Sequence, residues 1–140
     1  MNSSQTALVF PGQGAQKIGM GADFAQHGAA KQLFEEADDV LQFNLSKLMF
    51  EGEQDTLNMT ENTQPALLLS GIAALHVLQD EAEKTVPELA SAVAGHSLGE
   101  YTALVAAGVL SFADGLRLVR LRGQAMQKAV PVGKGKMAAS

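Results

Sequence analysis

The stretch A-V-A-G-H-S-L-G-E-Y-T-A-L, residues 92–104, decides the fold that this sequence predicts. Residues 91–94 form a short apolar run typical of a buried strand, and the residues after the motif have a helical pattern to about Ala107. Between the two, residues 95–99 match G-x-S-x-G in the strand–turn–helix context that a nucleophile elbow requires. Such a turn exposes the serine hydroxyl at the end of the strand. Ser97 is therefore the candidate nucleophile; the alternative is a tight turn whose serine only caps the helix.

An oxyanion formed at this elbow would need hydrogen-bond donors. The backbone N–H of Leu98, at the N-terminus of the helix, is the natural first donor. A second should come from another loop at the same sheet edge, and P-G-Q-G at residues 11–14 fits because it follows an apolar run, residues 6–10, that predicts a first strand. A dinucleotide loop is excluded because Lys17 occupies the third glycine position, and G-K-G-K at residues 133–136 lacks P-loop spacing.

Strands alternate with helices along the chain, which predicts an α/β fold with a parallel sheet and helices on both faces. Pro65 suits the first turn of a buried helix, and Ser111 with Asp114 is typical of a helix N-terminus. Residues 80–89 predict a charged turn, and residues 133–140 a further strand. The predicted helices cover about 29–41, a short segment after Asn44, 65–81, 98–107 and 111–130.

Arg122 lies in the last of these helices and differs from its neighbours Arg117 and Arg120. Those two have charged or polar residues at helical spacing, whereas Arg122 has only apolar ones, so it would be costly to bury unpaired. An internal salt bridge is one interpretation. The other is bidentate binding of a substrate carboxylate. The apolar neighbours of Arg122 at helical spacing are Leu118, Val119, Ala125 and Met126.

Composition excludes several classes of function. The sequence has no cysteine, which removes disulfides, thiolate nucleophiles and cysteine-based zinc sites. A net charge of -5 argues against a broad nucleic-acid surface, and the longest apolar run, residues 66–78, is too short to span a bilayer. Because no signal peptide is visible, we expect a cytoplasmic protein. A late basic cluster is either a solvated helix face or a landing site for an acidic carrier or phosphorylated substrate: Arg117, Arg120, Arg122, Lys128, Lys134 and Lys136.

A serine nucleophile needs a general base, usually histidine, and none of the three histidines is a good candidate. His96 adjoins Ser97, and neighbouring side chains on a turn diverge. His76 lies within a predicted helix, and His27 lies in a polar stretch. In this type of fold the base normally follows the elbow in the chain. We therefore expect the 140 residues to lack their base.

Four motifs occur in order along essentially the whole chain: V-F-P-G-Q-G-A-Q (9–16), T-Q-P-A-L-L (63–68), G-H-S-L-G-E-Y-T-A-L-V-A-A-G (95–108) and R-G-Q-A-M-Q (122–127). Together they resemble malonyl-CoA:acyl carrier protein transacylases of fatty-acid synthesis. The resemblance implies transfer of a malonyl group from CoA to the phosphopantetheine thiol of acyl carrier protein through a malonyl-serine. It implies that Ser97 is the nucleophile, that the N–H groups of Gln13 and Leu98 form the oxyanion hole, that Arg122 binds the malonyl carboxylate, and that Gln64 lines the acyl pocket.

The resemblance also implies a domain organisation. Residues 1–130 would be the N-terminal part of an α/β-hydrolase-like subdomain, and residues 131–140 the start of a small ferredoxin-like subdomain. Members of that family are longer and carry the catalytic histidine later, so we expect this chain to be inactive alone. We expect no cofactor, no metal, no nucleic acid and no membrane contact, and a monomeric parent. Two alternatives remain open: a serine esterase or thioesterase, and a non-catalytic carrier-binding fragment.

Overall fold

The computed structural model describes residues 5–130, in which two strands alternate with eight helices, so the predicted α/β class is confirmed. The strands are β1 (Ala7–Phe10) and β2 (Ala92–Gly95). The helices are α1 (Ala22–Ala25), α2 (Gly28–Leu41), α3 (Leu45–Glu51), α4 (Gln54–Leu57), α5 (Thr60–Ala82), α6 (Val86–Leu89), α7 (Leu98–Ala106) and α8 (Phe112–Ala129). The strand predicted at residues 133–140 and the small subdomain predicted from residue 131 lie outside the described residues.

The two strands pair in parallel, as expected, with Ala7 opposite Ala92 and Phe10 opposite Gly95. Parallel strands end at the same edge of a sheet, so the segments that follow them become neighbours. Here those segments are the P-G-Q-G loop after β1 and the G-H-S-L-G turn after β2. The sheet thus brings together two motifs that are more than eighty residues apart in sequence.

Helices cover one face of this sheet in residues 5–130, where the sequence predicted two covered faces. Leu8 and Val93 pack against the core beneath α7. The side chains that alternate with them are exposed, and Val9 keeps 72% of its surface accessible. The difference arises because α2, α7 and α8 all pack around α5, on the same side of the sheet.

Helix α5 is the centre of the core, as its apolar run predicted. Its residues are buried without interruption from Asn62 to Leu69, because α2, α7 and α8 surround it. The predicted start at Pro65 is wrong, since the helix begins at Thr60 and Pro65 lies inside it. No helix of the described residues is both long enough and apolar enough to cross a membrane.

The other helical predictions agree closely with the structure. Helix α8 begins where Ser111 Oγ accepts a hydrogen bond from the Asp114 N–H at 3.1 Å, and it ends at Ala129. The predicted turn at residues 80–89 contains one element that the sequence analysis missed, the short helix α6. Two donors stabilise its start, because the N–H and hydroxyl of Thr85 both bond to a carboxylate oxygen of Glu88, at 3.0 and 2.9 Å.

Candidate active site

Ser97 occupies a strained position between β2 and α7. Its backbone has φ 54° and ψ -111°, a left-handed conformation that costs a residue with a side chain about 1–3 kcal/mol. The side chain is exposed and makes no capping hydrogen bond to α7. The interpretation of Ser97 as a simple helix cap is therefore not supported, and the hydroxyl faces outwards at the end of the strand.

Glycines allow the strand, the turn and the helix to cross this closely. A Cβ on Gly95 would lie 2.0 Å from the backbone of Gly99, and a Cβ on Gly99 would lie 2.2 Å from the Phe10 carbonyl oxygen. Real Cβ atoms do not approach backbone atoms so closely, so both positions of the motif require glycine. The two flanking glycines of G-x-S-x-G thus serve packing, and the serine between them is left free for chemistry.

The P-G-Q-G loop lies directly against the elbow. A Cβ on Gly12 would come within 2.6 Å of the His96 carbonyl oxygen, and the His96 N–H donates to the Phe10 carbonyl at 3.3 Å. The side chain of Gln13 reaches away to α5, where its Nε2 donates to Thr60 Oγ1 at 3.3 Å. The structure therefore brings the loop with Gln13 and the turn with Leu98 to one edge of the sheet, as the sequence predicted.

Arg122 reaches the same place from α8. Its Nη2 donates to Ser97 Oγ at 3.3 Å, and its guanidinium carbon lies 5.3 Å from the centre of the Tyr101 ring. Its Nη1 is buried and has no hydrogen-bond partner among the described residues. The Arg122 side chain as a whole is half-buried. Its apolar neighbours Leu118 and Ala125 are exposed, so the apolar helix face expected from the sequence is only partly covered by other elements.

Arg122 forms no ion pair with any Asp or Glu of the described part of the chain. The ion pairs found there involve His27 and Arg117, the latter bonded to Asp114 at 3.2 Å. An unpaired buried donor costs about 1–3 kcal/mol. The internal salt bridge considered for Arg122 therefore finds no support in residues 5–130, and the unsatisfied Nη1 is free to bind an anion.

Gln64 lies on α5 beneath α8, where it contacts Met126, the residue one helical turn after Arg122. It is 1% exposed, and its Nε2 donates to the Met126 sulfur at 3.1 Å. Its Oε1 is buried without a hydrogen-bond partner in residues 5–130. The structure thus places a second unsatisfied polar group close to α8, the helix that carries Arg122. From the sequence alone, the family motif was the only reason to choose Gln64.

Sequence reasoning missed two contributions to this site. Tyr101, whose ring lies against Arg122, stands four residues after Ser97, and that spacing on one helix face was an available signal. The sequence shows polar or charged neighbours of Arg120 at helical spacing on its own helix. In the structure its Nη1 donates to the Glu61 carbonyl at 2.8 Å and to Asn62 Oδ1, both on α5. Sequence spacing gave no signal for these contacts, since both acceptors lie far away in sequence.

None of the three histidines forms a hydrogen bond to Ser97 in residues 5–130. His27 bonds to Glu81 at 3.1 Å, and His76 lies on α5. His96 is exposed beside Ser97, but Ser97 Oγ is bonded to Arg122. The described residues therefore supply an exposed hydroxyl, two neighbouring backbone segments and a guanidinium, which suits acyl transfer from an anionic acyl group.

The family model of the acyl transferase domain matches residues 7–140, and the chain belongs to that family. Two curated relatives are named malonyl CoA-acyl carrier protein transacylase. The one from Bacillus subtilis is 52% identical over 137 residues, which are 97% of this chain and 42% of the relative. The one from Escherichia coli K12 is 49% identical over 137 residues, 97% of this chain and 43% of the relative. The resemblance drawn from the four motifs is confirmed.

Solved structures agree with these relatives. An acyl-carrier-protein S-malonyltransferase from Bartonella henselae superposes with a TM-score of 0.85 at 49% identity, over 92% of this chain and 41% of that one. A malonyl-transacylase solved with a type II polyketide acyl carrier protein gives 0.81 at 50% identity, over 89% and 40%. The chain thus spans about two fifths of the length of the relatives that it matches.

Proposed function

We propose that the polypeptide carrying these residues transfers a malonyl group from CoA to the phosphopantetheine thiol of acyl carrier protein, by way of a malonyl ester on Ser97. The contact of Arg122 Nη2 with Ser97 Oγ, at 3.3 Å on an exposed elbow, is the observation that carries this proposal. It sets a carboxylate-binding group beside a nucleophile. The names of the relatives support the same substrate and carrier.

The first half of the reaction acylates Ser97. Its hydroxyl oxygen attacks the thioester carbonyl and gives its proton to a base, and the carbonyl oxygen becomes an oxyanion that accepts hydrogen bonds from the N–H groups of Gln13 and Leu98. When this intermediate collapses, the carbon–sulfur bond breaks and CoA leaves as a thiol with the proton from the base. In the second half, the carrier thiol gives its proton to the base and its sulfur attacks the malonyl ester. The bond between the acyl carbon and Ser97 Oγ then breaks, and the serine oxygen takes the proton from the base.

Arg122 would select the acyl group by its charge. A malonyl carboxylate can accept from both ends of the guanidinium, which gives the buried Nη1 the partner that it lacks among residues 5–130. An acetyl group offers no such acceptor. Gln64, with its unpartnered Oε1, would line the acyl pocket below.

The base for this reaction lies outside residues 5–130 in our proposal, because no histidine described there bonds to Ser97. The family resemblance implies a histidine later in the chain than the elbow. We accordingly propose that residues 5–130 carry the nucleophile, the oxyanion donors and the carboxylate site. We further propose that the polypeptide carrying these residues acts in the cytoplasm as a monomer.

The test is acylation of the natural polypeptide that carries these residues. It is mixed with malonyl-CoA, quenched in acid and weighed intact, with Ser97→Ala as the variant and Ser91→Ala as the matched control. Ser91 is exposed and bonds to the Thr6 carbonyl, away from the elbow. The wild type and the control should each gain one malonyl group, and Ser97→Ala should gain none.

The same measurement separates the alternatives. A malonyl group retained in Ser97→Ala would rule out this serine as the nucleophile. No malonyl group on the wild type, but covalent labelling by simple esters, would favour the serine esterase. Binding of carrier protein without any acylation, unchanged in Ser97→Ala, would favour the non-catalytic carrier-binding fragment.

A further inference from the structure

Arg120 joins α8 to the first turn of α5. Its Nη1 donates to the Glu61 carbonyl oxygen at 2.8 Å and to Asn62 Oδ1. Its guanidinium carbon also lies 4.4 Å from the centre of the ring of Phe43, which lies between α2 and α3. Hydrogen bonds from a charged donor are stronger and more directional than neutral ones. Arg120 therefore holds α8 at one defined place on α5.

The reason that Glu61 needs this donor is Pro65. In a regular helix the carbonyl of Glu61 would accept from the N–H of residue 65, but proline has no N–H. A carbonyl released in this way must find another donor or pay for its burial. Arg120 supplies that donor from a neighbouring helix, so an interruption of α5 becomes an anchoring point for α8.

Other contacts converge on the same turn of α5. The Thr60 N–H donates to Gln127 Oε1 of α8 at 3.1 Å. A Cβ on Gly123 would lie 2.7 Å from the Cα of Glu61, so the two helices meet there without an intervening side chain. Thr60 Oγ1 accepts from Gln13 Nε2 at 3.3 Å. The first turn of α5 thus contacts both the helix that carries Arg122 and the loop that carries Gln13.

We infer that Arg120 is a positioning residue that places the Arg122 guanidinium against Ser97, an inference that rests on the function proposed above. The two arginines stand two residues apart, about 200° around the helix, so they project from opposite sides of α8. Arg120 is bonded to the first turn of α5, and Arg122 is bonded to Ser97 at the elbow. A rotation or shift of α8 would change the position of the Arg122 guanidinium relative to Ser97 Oγ, which it contacts at 3.3 Å.

The experiment compares acylation by malonyl-CoA and acetyl-CoA in the natural polypeptide that carries these residues. Arg120→Met removes the anchor, Arg120→Lys retains one donor for the Glu61 carbonyl, and Arg117→Met is the control on the exposed side of the same helix. Arg120→Met should lose about tenfold in the rate of malonylation and little in the rate of acetylation. Arg120→Lys should recover most of the loss, and Arg117→Met should match the wild type.

A second variant separates positioning from general stability. Pro65→Ala returns an N–H to the carbonyl of Glu61, so Pro65→Ala combined with Arg120→Met should regain thermal stability. It provides no link between α5 and α8, so the malonyl preference should stay low. Recovery of both properties would show that Arg120 only satisfies a carbonyl, which overturns the inference.

The outcomes distinguish this inference from the function on which it rests. If the wild type takes up no malonyl group, the proposed function fails. If the wild type is malonylated and Arg120→Met keeps the wild-type ratio of malonyl to acetyl transfer, only the positioning role fails.

Discussion

Replacing Arg122 by alanine should change which acyl group the protein accepts far more than it changes catalysis itself. Arg122 has one nitrogen on Ser97 Oγ at 3.3 Å and one buried nitrogen with no partner in residues 5–130. Hydrogen bonds to charged groups are worth about 1.5–3 kcal/mol, and each 1.4 kcal/mol corresponds to tenfold. We therefore expect Arg122→Ala to lose about 10- to 150-fold in malonylation. The lower end is favoured by the partial exposure of the side chain, which lets water screen its charge.

The assay is the rate of Ser97 acylation by malonyl-CoA and by acetyl-CoA, followed by intact mass in the natural polypeptide that carries these residues. Acetylation should fall much less than malonylation, since an acetyl group has no carboxylate to bind. Arg117→Ala is the control, because Arg117 is exposed on the same helix and pairs with Asp114. Equal losses for the two acyl groups in Arg122→Ala would refute carboxylate binding by this residue. Arg122→Lys should be intermediate, since lysine keeps the charge but cannot bind in a bidentate manner.

Two further predictions concern stability. Gly99→Ala should destabilise the fold by about 3 kcal/mol in urea unfolding, because the new Cβ would lie 2.2 Å from the Phe10 carbonyl oxygen. Gly28→Ala is the control, since its Cβ would meet nothing within 4 Å, and equal effects would contradict this account of the elbow. Hydrogen bonds from the Thr85 N–H and hydroxyl lower the pKa of Glu88, so its stabilising effect is present above the ordinary carboxyl pKa and is lost as the pH falls through the lowered value. Glu88→Gln should therefore melt below the wild type near neutral pH and converge with it in acid; a constant difference in melting temperature would contradict the assignment.

Local patterns account for the parts of this protein that the sequence predicted well. The elbow at Ser97 needs only a strand, a glycine-flanked serine and a helix in succession, and all of these are set by neighbouring residues. The same holds for the N-cap at Ser111, where the donor and the acceptor are three residues apart. Elements whose determinants lie within one or two turns can be read before the chain is folded.

What the sequence did not predict correctly depends on contacts between residues that are distant in the chain. Pro65 was interpreted as the start of a helix because proline suits that place locally, but the helix begins at Thr60. Pro65 has no N–H to donate to the Glu61 carbonyl, and the distant Arg120 supplies that donor instead. The polar neighbours of Arg120 in the sequence lie on its own helix, whereas its hydrogen-bond partners lie on α5. In both cases the deciding hydrogen bond joins residues almost sixty positions apart.

The sequence by itself determined the α/β class, the exposed serine and the family to which the chain belongs, since each depends on short patterns in a fixed order. Only the tertiary structure decided that Arg122 contacts Ser97 and has no acidic partner among the described residues. The physical reason is that the packing of α8 against α5 and α7 fixes where its side chains end. Sequence spacing gives the face of a helix on which a residue lies, and only the packed neighbours determine what that face contacts.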